Sequence, residues 1–219
     1  IRLNSVQLLG DLMFLVAGVT GKIQTNSDIQ DDGDSVSNEM NTRSIEVKLG
    51  TANRDATLSA LYISRCDQNL QVRNSALHIW KSVVASTPKT LLEIIGALIT
   101  SIIEGLSSHS NEDRTISCGG ALRELVRKLG ERVLPSVVPV FAERLREGDT
   151  STRIGVCVGL VEVVTNSSKS QMREYLSRLM PTLRDALCDS EDAVREAAGS
   201  AFGSLLHLVG EDVLADVVP

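Results

Sequence analysis

An arginine returns along this chain at near-constant spacing. Arg73, Arg114, Arg153 and Arg195 are separated by 41, 39 and 42 residues, and each is followed by an apolar helical stripe. Seven residues after each Arg stand Trp80, Ala121, Leu160 and Phe202; eleven after stand Val84, Leu125, Val164 and Leu206. Arg2 opens the same register, with Leu9 and Met13 in those slots. Self-similarity near 40 residues marks a helical solenoid, in which each unit is one helix pair that buries its apolar face only by stacking on its neighbours. The functional question therefore moves from active sites to surfaces.

Aromatic residues make up only 3% of the 219, against 42% hydrophobic overall, so the core is built from Leu, Val, Ile and Ala, as in stacked helices. No apolar run has transmembrane length and no signal peptide is visible. The chain opens and closes inside helical patterns, and is expected to be a fragment of something longer.

The pattern predicts a helix over 1–18, with Leu3, Val6, Leu9, Leu12, Met13 and Val16 on one side. Residues 20–47 break it. They are polar, and residues 24–47 hold −5 of the net charge of −6, so they read as an acidic disordered insertion. First helices are predicted at about 49–65, 88–107, 132–147 and 170–187, and second helices at about 69–86, 112–129, 151–166 and 190–208. The organisation is one solenoid segment: a partial repeat (1–19), the insertion, full repeats over 48–87, 88–130, 131–169 and 170–209, and a partial repeat over 210–219. Thr87-Pro88 reads as an N-cap and first helical residue. Gly130 and Gly210 fall where a left-handed C-cap residue is wanted.

Pro139 and Pro181 each lie 14 residues before an Arg of the register, inside first helices that they should bend. Asp67 and Asp189 each lie six before Arg73 and Arg195. Mid-helix proline, turn aspartate and Val-Arg together resemble the HEAT repeat, an all-α, armadillo-like superhelical fold. That resemblance implies a structural ladder tying stacked repeats together, carried here by Asp67, Arg73, Arg114, Arg153, Asp189 and Arg195. The fit is looser in the middle, where Asp149 is only four before Arg153 and Ser108 stands six before Arg114.

Particular stretches go beyond generic HEAT geometry. SVQLLGDLMFLVAGVTGK (5–22), LHIWKSVVASTPKTLLEI (77–94), LVRKLGERVLPSVVP (125–139), RIGVCVGLVEV (153–163) and ALCDSEDAVREAA (186–198) resemble the general control non-derepressible translational activator family. That resemblance implies a cytoplasmic, non-enzymatic scaffold that associates with ribosomes. It also implies stimulation of the protein kinase that phosphorylates initiation factor two alpha in amino-acid starvation. The alternative is another HEAT-repeat protein–protein scaffold, of the transport-receptor or phosphatase type.

Candidate sites are few. Arg123, Arg127, Lys128 and Arg132 crowd the end of one second helix, either as a contact for the ribosome or an acidic partner or as cations suited to a helix C-terminus. DIQDDGDSVSNE (28–39) matches a calcium loop at Asp28, Gly33 and Glu39 but carries Gln30 and Ser35 where the loop needs an acid or amide and an apolar residue, so it is read as a chance match. The cysteines 66, 118, 157 and 188 show no metal or disulfide spacing; Cys118 and Cys157 share one slot of the register and read as buried packing residues. His78, His109 and His207 are scattered. No cofactor, small-molecule substrate or membrane is implied.

Overall fold

The computed structural model describes residues 1–17, 45–108 and 111–210. Among them the regular structure is entirely helical: eleven α-helices, one 3-10 turn and the helical residues 45–49. The calcium-loop match and all but the first residue of the final partial repeat over 210–219 lie outside the described residues, as does the insertion up to residue 44. Two compact units divide the chain, Ile1–Leu98 and Ile99–Pro219.

In the first unit, α1 (Arg2–Ala17) and α2 (Thr51–Ser64) both pack against α3 (Leu70–Val83). Gly10 makes the close approach of α1 possible: a Cβ there would stand 2.5 Å from Cδ1 of Ile79. The buried side of α1 is therefore Val6, Gly10, Met13 and Ala17. This corrects the expected stripe, for Leu12 is exposed with Leu8 and Leu15. Asn69 caps α3 by accepting from the amides of Gln71 and Val72.

Residues 45–49 are helical, so the last three positions of the expected insertion belong to the folded unit. Ile45 is buried, and Glu46 sits 2.9 Å from the buried guanidinium of Arg54, which also pairs with Asp55 at 2.8 Å. Lys48 donates to the Val16 carbonyl at 2.8 Å, at the C-terminal end of α1.

Trp80 is 2% exposed. Its ring meets Tyr62 at 5.4 Å between centroids, and the Arg65 guanidinium lies over both rings at 4.9 and 5.2 Å. Its indole N–H donates to the Thr87 hydroxyl at 2.9 Å. That bond overturns the expected cap: Ser86 is the N-cap residue of α4 (Thr87–Glu93), and Thr87 and Pro88 are its first two helical residues.

The expected helix over 88–107 is two helices, because the backbone leaves helical geometry at buried Ile94 before α5 (Ile95–Leu106). The expected helix over 170–187 divides likewise into α9 (Lys169–Arg173) and α10 (Leu176–Leu187). A capping box at Ser168, with Gln171 answering it, gives α9 a start of its own.

The second unit has two layers. The second helices α6 (Glu112–Leu129), α8 (Thr150–Thr165) and α11 (Asp192–Val209) pack successively, and the first helices α7 (Leu134–Glu147) and α10 pack beside them. Pro139 and Pro181 lie inside α7 and α10. Gly130 and Gly210 close α6 and α11 with φ of 51° and 88°, a region that favours glycine. In the shared register slots Ala121, Leu160, Cys118 and Cys157 are buried, whereas Phe202 is half-buried.

Candidate interaction surface

The turn before each second helix positions the arginines. Arg73 donates through Nη1 to the carbonyls of Asp67 and Gln68, both at 2.7 Å; Arg195 does the same to Asp189 at 2.7 Å and Ser190 at 2.9 Å. Each arginine closes its own turn through main-chain oxygens. The aspartate carboxylates point elsewhere. Asp67 Oδ1 accepts from the amide of Asn69 at 2.8 Å, and Asp189 Oδ1 from that of Glu191 at 3.0 Å.

Their other partner comes from an earlier repeat. Arg2 Nε stands 3.0 Å from Asp67 Oδ2, and Arg153 Nε stands 2.8 Å from Asp189 Oδ2. Arg153 Nη2 makes the better-aligned bond, to Asp189 Oδ1 at 3.2 Å, while its Nη1 holds the Gly148 carbonyl at 2.8 Å. The amide of Glu191, with Arg153 behind it, holds the Asp189 carboxyl below the usual carboxylate range.

Arg114 does not join an ion pair among the described residues; it lies along Cys118. The aspartate available in the next turn, Asp149, instead caps α8 by accepting from the Thr152 amide at 2.7 Å. Standing four rather than six residues before its arginine, it has become a capping residue. Hydrogen bonding from Thr152 lowers its pKa.

The four basic residues are not one patch. Arg123 forms a two-pronged bond to Glu162, at 2.9 and 3.0 Å, between α6 and α8. Both residues stand nine after an arginine of the register, a signal in the sequence that would have found the pair. Lys128 pairs with Glu124 one turn back. Arg123, Arg127 and Lys128 border one shallow depression with Gly120 and Glu124, and Arg132, exposed on the 3-10 turn Gly130–Arg132, is not part of it.

No group of three or more metal-binding side chains gathers among the described residues. His78 and His207 are exposed and far apart in the register. Burial pushes the thiol of Cys118 up to about 11 and that of Cys157 to about 12. No helix among the described residues is long and apolar enough to cross a membrane.

Residues 113–218 match the family model of the HEAT-repeat domain of the proteasome adapter and scaffold protein ECM29. The whole chain aligns with three longer relatives. It is 41% identical over 219 residues to the stalled ribosome sensor GCN1 of Homo sapiens and 40% over 222 residues to the eIF-2-alpha kinase activator GCN1 of Dictyostelium discoideum. It is 36% identical over 220 residues to the eIF-2-alpha kinase activator GCN1 of Saccharomyces cerevisiae. By sequence the chain belongs to the GCN1 family. It spans 8% of the length of each of these relatives, so it corresponds to one stretch of a GCN1 protein. Its fold is the all-α HEAT fold.

Proposed function

We propose that this chain is a non-enzymatic scaffold segment of a cytoplasmic, ribosome-associated activator of the kinase that phosphorylates initiation factor two alpha. Its partners on this reading are the ribosome, that kinase and other proteins. One observation carries it: similarity of 36–41% across all of the chain to proteins named as a stalled ribosome sensor and as eIF-2-alpha kinase activators.

In the same reading the chain consists of four full repeats, over 48–87, 88–130, 131–169 and 170–209. Asp67, Arg73, Arg114, Arg153, Asp189 and Arg195 serve the solenoid rather than a partner. Of Arg123, Arg127, Lys128 and Arg132, contact with ribosomal phosphates or an acidic protein falls on Arg127 and Arg132, since Arg123 is held by Glu162 and Lys128 by Glu124. Arg127 and Arg132 are exposed and join no ion pair among the described residues, which supports giving them that role.

A segment exchange tests the proposal. This chain replaces the matching stretch of the yeast relative, and phosphorylation of initiation factor two alpha is followed during amino-acid starvation. Restored phosphorylation with co-sedimentation on ribosomes is the expected result. A stably expressed chimera that sediments with ribosomes but leaves the kinase silent would refute the activator reading for this stretch. Arg127→Glu with Arg132→Glu should weaken the co-sedimentation.

A further inference from the structure

Between the 3-10 turn with the start of α7 on one side, and α9 with the break after it on the other, runs a groove of about 240 Å³. It is lined by Glu131, Leu134, Pro135, Ser170, Gln171, Glu174 and Tyr175. Tyr175 stands 20 residues before Arg195, as Ile94 stands 20 before Arg114, and both sit at the break of a divided first helix. Ile94 is fully buried, so an aliphatic side chain satisfies the packing at this position. Tyr175 is only half-buried and presents an aromatic ring to the groove.

Two carboxylates share that groove. Glu131 and Glu174 are exposed and join no ion pair among the described residues, although Arg132 and Arg173 are their neighbours in sequence. Both act on the phenol: burial first, then the charges of Glu174 and Glu131, raise its pKa. Both carboxylates line the same groove as the ring and make it a site that attracts a cation. A planar guanidinium suits this combination, because it can stack on the ring while donating to carboxylates at its edge.

We infer that the groove lined by Glu131, Glu174 and Tyr175 receives an arginine side chain from an extended basic segment of a partner protein. The inference goes beyond the scaffold role proposed above and does not depend on which assembly supplies the partner.

The 219-residue chain has two tyrosines, and Tyr62 is fully buried, so the Tyr175 ring resonances report on the groove alone. Titration with the peptide acetyl-Gly-Arg-Gly-amide, followed by those resonances, should show saturable binding in the ~millimolar range expected of a single side-chain contact. The citrulline peptide keeps the shape and loses the charge; it should bind about tenfold more weakly, as should the arginine peptide to Glu131→Gln/Glu174→Gln. Both substitutions lie on exposed residues, and the dispersion of the spectrum confirms the fold. Equal binding of the arginine and citrulline peptides, binding unchanged in the double variant, or no saturable shift at Tyr175 would each overturn the inference.

Discussion

Arg153 reaches forward one repeat to Asp189, placing Nε 2.8 Å from Oδ2 while its own turn is closed through the Gly148 carbonyl. Both side chains are mostly shielded, at 20% and 12% exposure. Replacing Arg153 with Ala leaves a carboxylate and a carbonyl short of a charged donor and should cost about 1–3 kcal/mol. A double-mutant cycle by urea denaturation should return a coupling of about 0.5–2 kcal/mol between Arg153 and Asp189. Additive single effects would show that the contact contributes nothing. Arg195→Ala should cost less, about 1 kcal/mol, because its side chain is 40% exposed and its bonds to Asp189 and Ser190 stay within one turn.

Trp80 joins α3 to the start of α4. Trp80→Ala empties the space beside Tyr62 and should cost about 3–5 kcal/mol. Trp80→Phe keeps a ring but leaves Thr87 without its donor, so a smaller loss of about 1 kcal/mol is expected from that bond. Thermal denaturation of the two variants separates packing from hydrogen bonding.

Stability should fall on the acid side. Asp149 and Asp189 have pKa values lowered in the folded state from an ordinary 3.8. A depressed folded pKa stabilises above the unfolded value, and that contribution is lost as pH falls through the folded value. Both groups should therefore contribute their full stabilisation near neutrality and lose it progressively below about pH 4. Asp149→Asn and Asp189→Asn should each flatten the acid limb of a stability profile; an unchanged limb in both would count against these bonds.

Thiol labelling should divide the cysteines. Cys118 and Cys157 are buried and their thiolates disfavoured, so alkylation of the native chain at pH 8 should spare them while exposed Cys188 reacts. Mass spectrometry of the labelled peptides reads the pattern directly. Equal labelling of Cys118 and Cys188 would place α6 in a more open state than the one described.

The Arg123–Glu162 bridge joins α6 to α8, between which Arg114 makes no ion pair among the described residues. At 52% and 22% side-chain exposure the pair should couple by about 0.5–1 kcal/mol, less at high salt. A cycle on Arg123→Ala and Glu162→Ala at two salt concentrations measures it.

The recurrence near 40 residues by itself determined the helical class, the pairing of helices and the buried slots of Trp80, Leu160, Cys118 and Cys157. These follow from apolar periodicity, which is local and written into each helix. Only the tertiary structure decided which partner each polar residue takes. Asp67 and Asp189 pair with Arg2 and Arg153 of earlier repeats, whereas Asp149 accepts from the Thr152 amide of its own helix. Arg123, one of four adjacent cations along the chain, is drawn off by Glu162, and Thr87 is taken from helix capping by Trp80. The breaks at Ile94 and Tyr175 carry no proline, so neither was legible in the sequence. Hydrogen-bond and charge partners depend on distances across repeats, and stacking sets those distances only once the whole array is formed.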